Sequence, residues 1–370
     1  MADSDRVSDF SRTPSRAESE SEWGDRGCGY LNTASYGLPP RRAFDALQGA
    51  LADWQVGATS WEPWADAADV ARGHFARLVN AAPEDVALGS TVSQLLAHVA
   101  TALPDGARVV VPEIEFTSNL FPWLVQARRG VDVVTVPADR LAEAIDARTH
   151  LVAFSAVQSA TGEVADVAAV SRAARHHDAV VVVDATQAAG WLPLDARDAD
   201  VLVCAAYKWL LAPRGAAFMV VGYRLAGELQ PVMANWWATG DYRDGYYGPP
   251  LRLAETGRRF DISPAWFSWV GAAPALEVLL EIGIDAIHEH DLRLANRFRE
   301  AMGLEPSDSA VVPVDADGAA ERLAAAGVRA AVRAGNARLS FHAYNTDDDV
   351  DLAVAALTGL RAPAATRRLH

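Results

Sequence analysis

Cysteine is scarce: Cys28 and Cys204 are the only two in 370 residues. Two thiols make neither a disulfide framework nor a zinc cluster, and the nine histidines show no metal-ligand spacing. Long apolar runs are also missing, and none reaches the ~18 residues a membrane span needs. The opening stretch MADSDRVSDFSRTPSRAESESEW has no apolar segment of signal-peptide kind, so no secretory leader is expected. Positive charge is in deficit, with 33 Lys and Arg against 48 Asp and Glu, a net charge of −15. Such a field repels phosphate backbones and argues against a nucleic-acid partner. Apolar residues, by contrast, make up 51% of the chain, enough for a large interior and too much for wholesale disorder. The length suits two packed units. These features describe an acidic globular protein of a reducing compartment, expected in the cytoplasm, and most such proteins are enzymes.

Residues 1–27, rich in Ser, Asp, Glu and Arg, read as a flexible tail. From Tyr30 onward, short β-branched runs alternate with Ala-rich helical patterns. The expected strands are Val86–Gly89, Arg108–Pro112, Val131–Val136, His150–Ala156, Ala179–Asp184, Val201–Ala205 and Ala216–Val221. Runs such as VVVVD and VLVCAA are apolar throughout, as in strands covered on both faces. With helices between them, for example over Thr91–Ala102 and Val167–His177, they predict an α/β fold with a mainly parallel seven-stranded sheet. Residues 231–262 are loop-like and full of turn formers and aromatics. A long helix is expected from about Pro264 to Ile282, then a smaller α+β part to Leu360. The boundary is placed near residue 260, giving a large unit over 28–260 and a small C-terminal unit over 261–370.

Two residues stand out at expected strand ends. Asp184 closes one strand and Lys208 lies just past the next, 208 − 184 = 24 residues on. Ligands gather at the carboxyl ends of strands in open α/β sheets. Between Tyr207 and Trp209, Lys208 is expected to be desolvated, which lowers an amine's pKa and makes it a better nucleophile and base. The plain alternative is a lysine reaching from a strand end to solvent. The pair gains meaning if a pyridinium ring lies between them, because pyridoxal phosphate needs a lysine for its Schiff base and a carboxylate for its ring nitrogen. Its phosphate also needs a cradle. Gly89, Ser90 and Thr91 leave a strand and open a helix, where free N–H groups and the helix dipole favour an anion. An ordinary N-cap at Ser90 or Thr91 explains the same pattern.

On these and further motifs the chain, from Tyr30 to about Leu360, resembles the class V aminotransferase superfamily of fold type I pyridoxal-phosphate enzymes. Cysteine desulfurases, kynureninase and isopenicillin N epimerase are members. The resemblance implies that in VDATQ, Asp184 partners the pyridinium nitrogen and Gln187 bonds the cofactor's phenolic oxygen. In AAYKW it implies that Lys208 forms the Schiff base, with Tyr207 and Ala205 where phosphate contacts sit; Ala205 has no hydroxyl to give. Thr91 and Val92 fall at the phosphate-binding turn. In PEIEFTSNLFPW, Phe116 takes the place of a stacking histidine, able to stack but not to transfer protons. Gln158 falls near the cofactor oxygen and substrate, and Ser263, in RRFDISP, where a hydroxyl reaches the partner subunit's phosphate, which implies a homodimer. In VRAGNARLSFHAYNT, Arg338 matches the residue that binds the substrate α-carboxylate, and Arg333 a second arginine. For both, an ion pair with Asp347–Asp349 is the plain alternative.

Departures limit the function. Desulfurases carry a persulfide-forming cysteine on a mobile loop between the two arginines, but here only Ala334–Ala337 separate them and no cysteine occurs. With Phe116 in place of histidine, persulfide transfer is disfavoured. The expectation is a pyridoxal-phosphate enzyme that removes the α-proton of a small-molecule amino acid with Lys208, most simply an aminotransferase. A β-eliminating carbon–sulfur lyase and an epimerase are the alternatives, and a non-catalytic amino-acid-binding protein comes last. Trp61, Trp64, Trp236, Trp237, Tyr242, Tyr246 and Tyr247 either line a substrate mouth or pin loops to the body. His342 is either a second acid/base or inert. No metal is expected.

Overall fold

The computed structural model describes residues 22–24 and 28–358. The rest of the expected tail over 1–27, and the chain beyond 358, lie outside the described residues. Trp23, placed in that tail by composition, is instead buried. Its indole N–H donates to the Leu38 carbonyl at 3.1 Å and its ring packs on Tyr344, while Glu22 pairs with Arg42 at 2.7 Å.

Seven strands form the main sheet: β1 (Val86–Gly89), β2 (Arg108–Pro112), β3 (Asp132–Val136), β4 (Thr149–Ser155), β5 (Val180–Asp184), β6 (Val201–Ala205) and β7 (Ala217–Val221). Their ends fall within one residue of those expected. The order is β1-β7-β6-β5-β4-β2-β3. β7 alone runs against the other six strands, antiparallel to β1 and β6; the pairs β6–β5, β5–β4, β4–β2 and β2–β3 are parallel. The apolar runs are explained by cover on both faces. On one, the helices Glu62–Leu78 and Trp266–Ile282 pack over the sheet, with Phe75 stacked on Phe218 at 4.2 Å between ring centroids. On the other, Leu95, Leu96 and Val99 of the helix Val92–Ala102 join Trp123. Edge strand β3, half exposed, is the exception.

A second, three-stranded antiparallel sheet comprises β8 (Val311–Val314), β9 (Ala331–Arg333) and β10 (Asn336–Ser340), with β10 in the centre. Ala334 and Gly335 turn the chain from β9 to β10, both at positive φ, 48° and 85°, as a two-residue hairpin requires. Tyr30–Asn32 run alongside, bridging to Arg329 and Ser340. The long helix expected from Pro264 begins at Trp266 and stops at Gly283 (φ 91°), where Ile284–Ala301 takes over. No helix among the described residues is long and apolar enough to cross a membrane.

The topology brings the carboxyl ends of β1, β4, β5 and β6 to one edge. Register sets Ser155 of β4 beside Asp184 of β5, and Gly89, Ala217 and Ala205 in one row across β1, β7 and β6.

Candidate active site

Asp184 and Lys208 open onto one cavity at that edge. Both are buried, 4% and 5% exposed, yet they form no ion pair with each other or with any described residue. The Thr186 N–H donates to Asp184 Oδ1 at 2.8 Å. Burial pushes the Asp184 carboxyl above its ordinary range, against the pull of Thr186 and Lys208. Burial likewise pushes the Lys208 ammonium down to about 8, with Asp184 opposing and Arg338 assisting. Lys208 Nζ lies 5.2 Å from the Phe116 ring centroid and 5.8 Å from that of Tyr207. Lys208 is the only lysine in the sequence. That count alone marks it out, in agreement with the AAYKW motif.

The wall is continued by Ser90, Thr91 and Val92 at the start of the helix Val92–Ala102, by Thr186 and Gln187 after β5, and by Ala205 and Tyr207 after β6. Thr91 is also the helix's N-cap, its Oγ1 accepting from Gln94 N at 3.2 Å, so cap and cavity wall are one residue. Gln187 is fixed on all sides: its Oε1 accepts from the Trp209 indole at 2.8 Å, and its Nε2 donates to Ala34 O and Ser159 Oγ.

Arg338, on central strand β10, is 1% exposed and has no carboxylate partner among the described residues. Its guanidinium donates to Ser159 O, to Ser159 Oγ at 3.2 Å and to Ser35 Oγ at 2.9 Å, while Nε has no partner. The alternative of an ion pair with Asp347–Asp349 is ruled out: Asp347 serves Arg293 and Arg297, and Asp349 caps the helix Asp347–Leu357. Burial lowers the Arg338 pKa to about 10, with Arg333 adding to the fall. Arg333 is exposed and reaches the same Ser35 hydroxyl at 3.4 Å.

Gln158 lies behind the wall rather than on it. Its Nε2 donates to Glu115 Oε2 at 3.4 Å, and its Oε1 has no partner. Glu115, a buried acid hidden inside PEIEF, also accepts from Phe116 N at 2.9 Å and from Ser155 N at 2.7 Å and Ser155 Oγ. It thereby ties the Phe116 loop to the end of β4. Burial raises its carboxyl, with nearby Asp184 adding to the rise and Ser155 opposing.

Residues 38–316 match the family described as aminotransferase class-V. The chain belongs to the class V aminotransferase family. Its members are pyridoxal-phosphate-dependent enzymes acting on amino acids, and this class V enzyme is one of them. It is 28% identical over 317 residues to an uncharacterized aminotransferase of Bacillus subtilis, covering 80% of this chain and 84% of the relative. It is 29% identical to isopenicillin N epimerase of Streptomyces clavuligerus over 76% of this chain and 77% of the other. Among solved structures, a cystine C–S lyase with its product cysteine persulfide superposes with a TM-score of 0.80 at 20% identity, covering 91% and 99% of the two chains; that likeness shows the fold.

The donor set of this class V enzyme fits pyridoxal phosphate. An unpaired buried amine and an unpaired buried carboxylate face one cavity, an arrangement costly to leave without a bridging group. Ser90 and Thr91 can meet a phosphate, and Phe116 can cover a ring. Ser263 is exposed and stands off the cavity of its own chain. The loop aromatics also stand off it and pack on one another: Trp61 meets Trp236, Tyr242 and Trp266 at 5.5–5.9 Å, and Trp237 stacks on Tyr242. His342 is fully buried between Asp291 and the Trp209 carbonyl, each at 3.0 Å, away from the cavity. Cys204 is buried in β6 with its thiol pushed up by burial and by Asp184. Thr186, Ser159, Glu115 and Arg214 are the site residues the motifs did not disclose.

Proposed function

We propose that the chain is an aminotransferase-type enzyme working as a cytoplasmic homodimer on a small α-amino acid. The observation that carries this is the buried, unpaired Lys208–Asp184 couple on one cavity. Lys208 Nζ would hold the cofactor's aldehyde carbon, Asp184 its ring nitrogen, Ser90, Thr91, Val92 and Tyr207 its phosphate, Gln187 its phenolic oxygen and Phe116 its ring face. Ser263 of the partner subunit would complete the phosphate site. When bound, pyridoxal phosphate supplies an electron sink for negative charge at the substrate's α-carbon.

Arg338 stands behind Ser159 of the cavity wall rather than on it; released from Ser159 and Ser35, its guanidinium would give the α-carboxylate two parallel bonds that fix orientation as well as charge. Arg333 and Gln158 are the more distant aids, the one by charge and the other through Glu115. Lys208, freed when the substrate's own amine displaces it from the aldehyde carbon, would then take the α-proton; burial, which lowers its pKa to about 8 in the cofactor-free chain, favours the neutral amine that a base near neutrality needs. Among the described residues, Lys208 is the only amine or imidazole on the cavity wall. One base on one face favours a proton shift over epimerisation, which needs a second group opposite, where Phe116 offers none. Carbon–sulfur β-elimination needs the same first proton transfer and is the second reading. Persulfide transfer is disfavoured because no cysteine lines the cavity among the described residues.

The test is product analysis with a panel of amino acids, including cysteine conjugates, with and without a keto-acid acceptor. Turnover that requires the acceptor supports transamination. Pyruvate and a thiol without it would establish elimination instead, and a D-amino acid epimerisation.

A further inference from the structure

The phosphate end of the cavity has hydroxyls, from Ser90, Thr91 and Tyr207, but little positive charge. Ala205 presents a methyl group there. The helix start is partly self-satisfied, since the Ser90 N–H donates to Gln94 Oε1 at 3.1 Å and Thr91 Oγ1 accepts from Gln94 N. Half a charge from the helix dipole does not balance a phosphate of nearly −2. Among the described residues, one cation on the cavity wall is not yet used: Arg214. Its Cζ lies over the Tyr207 ring, 4.9 Å from the centroid, a cation–π contact that holds the guanidinium beside the cavity. The loop is anchored, because Ser268 Oγ donates to the Arg214 carbonyl at 2.9 Å and Gly215, at φ 108°, lets the backbone pass close to that serine. In a chain with 48 acidic residues, no carboxylate pairs with Arg214 among the described residues. An anchored cation held over an aromatic ring, without a counter-charge and beside serine and threonine hydroxyls, is built for an anion.

We infer that Arg214 binds the cofactor's phosphate, supplying by charge what Ala205 cannot supply by hydroxyl. The inference rests on the proposed pyridoxal-phosphate site. Arg214 is then a positioning residue: it holds the end of the cofactor remote from the reacting carbon.

The test titrates cofactor-free protein with pyridoxal phosphate and, separately, with pyridoxal, reading dissociation constants from tryptophan fluorescence for wild type, Arg214→Ala and Arg214→Lys. Loss of a charge-assisted contact predicts about 10–100-fold weaker binding of pyridoxal phosphate to Arg214→Ala, with the pyridoxal constant nearly unchanged. Arg214→Lys should recover part of the loss, and added salt should narrow the gap. Equal weakening of both ligands, or no weakening, overturns the inference while leaving the cofactor assignment intact. A wild-type protein that binds neither ligand overturns the assignment itself.

Discussion

Lys208 owes its character to what surrounds it rather than to its own chemistry. Burial strips the ammonium of water, Asp184 returns part of that loss, and the balance lands at about 8 against an ordinary 10.5. The neutral amine is the reactive form, so reactivity rises with pH through the shifted value. Carbamylation of cofactor-free protein by cyanate, followed by peptide mass spectrometry, should therefore show a midpoint near pH 8 at Lys208. A midpoint above 10 would mean that the side chain is solvated. At this scale the sequence disclosed Asp184, Lys208 and Thr91, because strand ends and helix starts are where such residues act. It disclosed Glu115 and Arg214 poorly, since an acid inside PEIEF and an arginine in a loop have no signature until folding brings them to Ser155 and Tyr207.

The loop carrying Lys208 sits in a socket of backbone. A Cβ on Gly37 would overlap the Lys208 carbonyl oxygen and Leu211 Cδ2, and one on Gly190 would fall 2.8 Å from the Trp209 carbonyl carbon. Gly37 N also donates to the Tyr207 carbonyl at 2.9 Å. Gly37→Ala should cost about 1–3 kcal/mol of stability by overpacking and weaken cofactor binding by moving Lys208. Thermal melts of the cofactor-free and loaded forms check this, and a variant that melts and binds like wild type would show that the socket is slack. The strands were legible because continuous valine runs need cover on both faces. The fate of the loop aromatics was not legible: rings in a turn-rich segment look alike whether they face a substrate or, like Trp61 and Trp236, each other.

Across the whole molecule, charge is carried by arginine and acids, with one amine side chain in 370 residues. Arginine stays protonated at any working pH and makes a poor nucleophile, so covalent attachment of an aldehyde has one side chain to go to. That makes the central claim directly measurable. Protein incubated with pyridoxal phosphate is reduced with borohydride, which fixes any cofactor held on an amine as a stable secondary amine, and is then weighed intact and mapped by peptide. The account predicts one phosphopyridoxyl group per chain, on Lys208, absent in Lys208→Ala. A chain that gains no mass, or gains it equally in Lys208→Ala through the terminal amine, would contradict it.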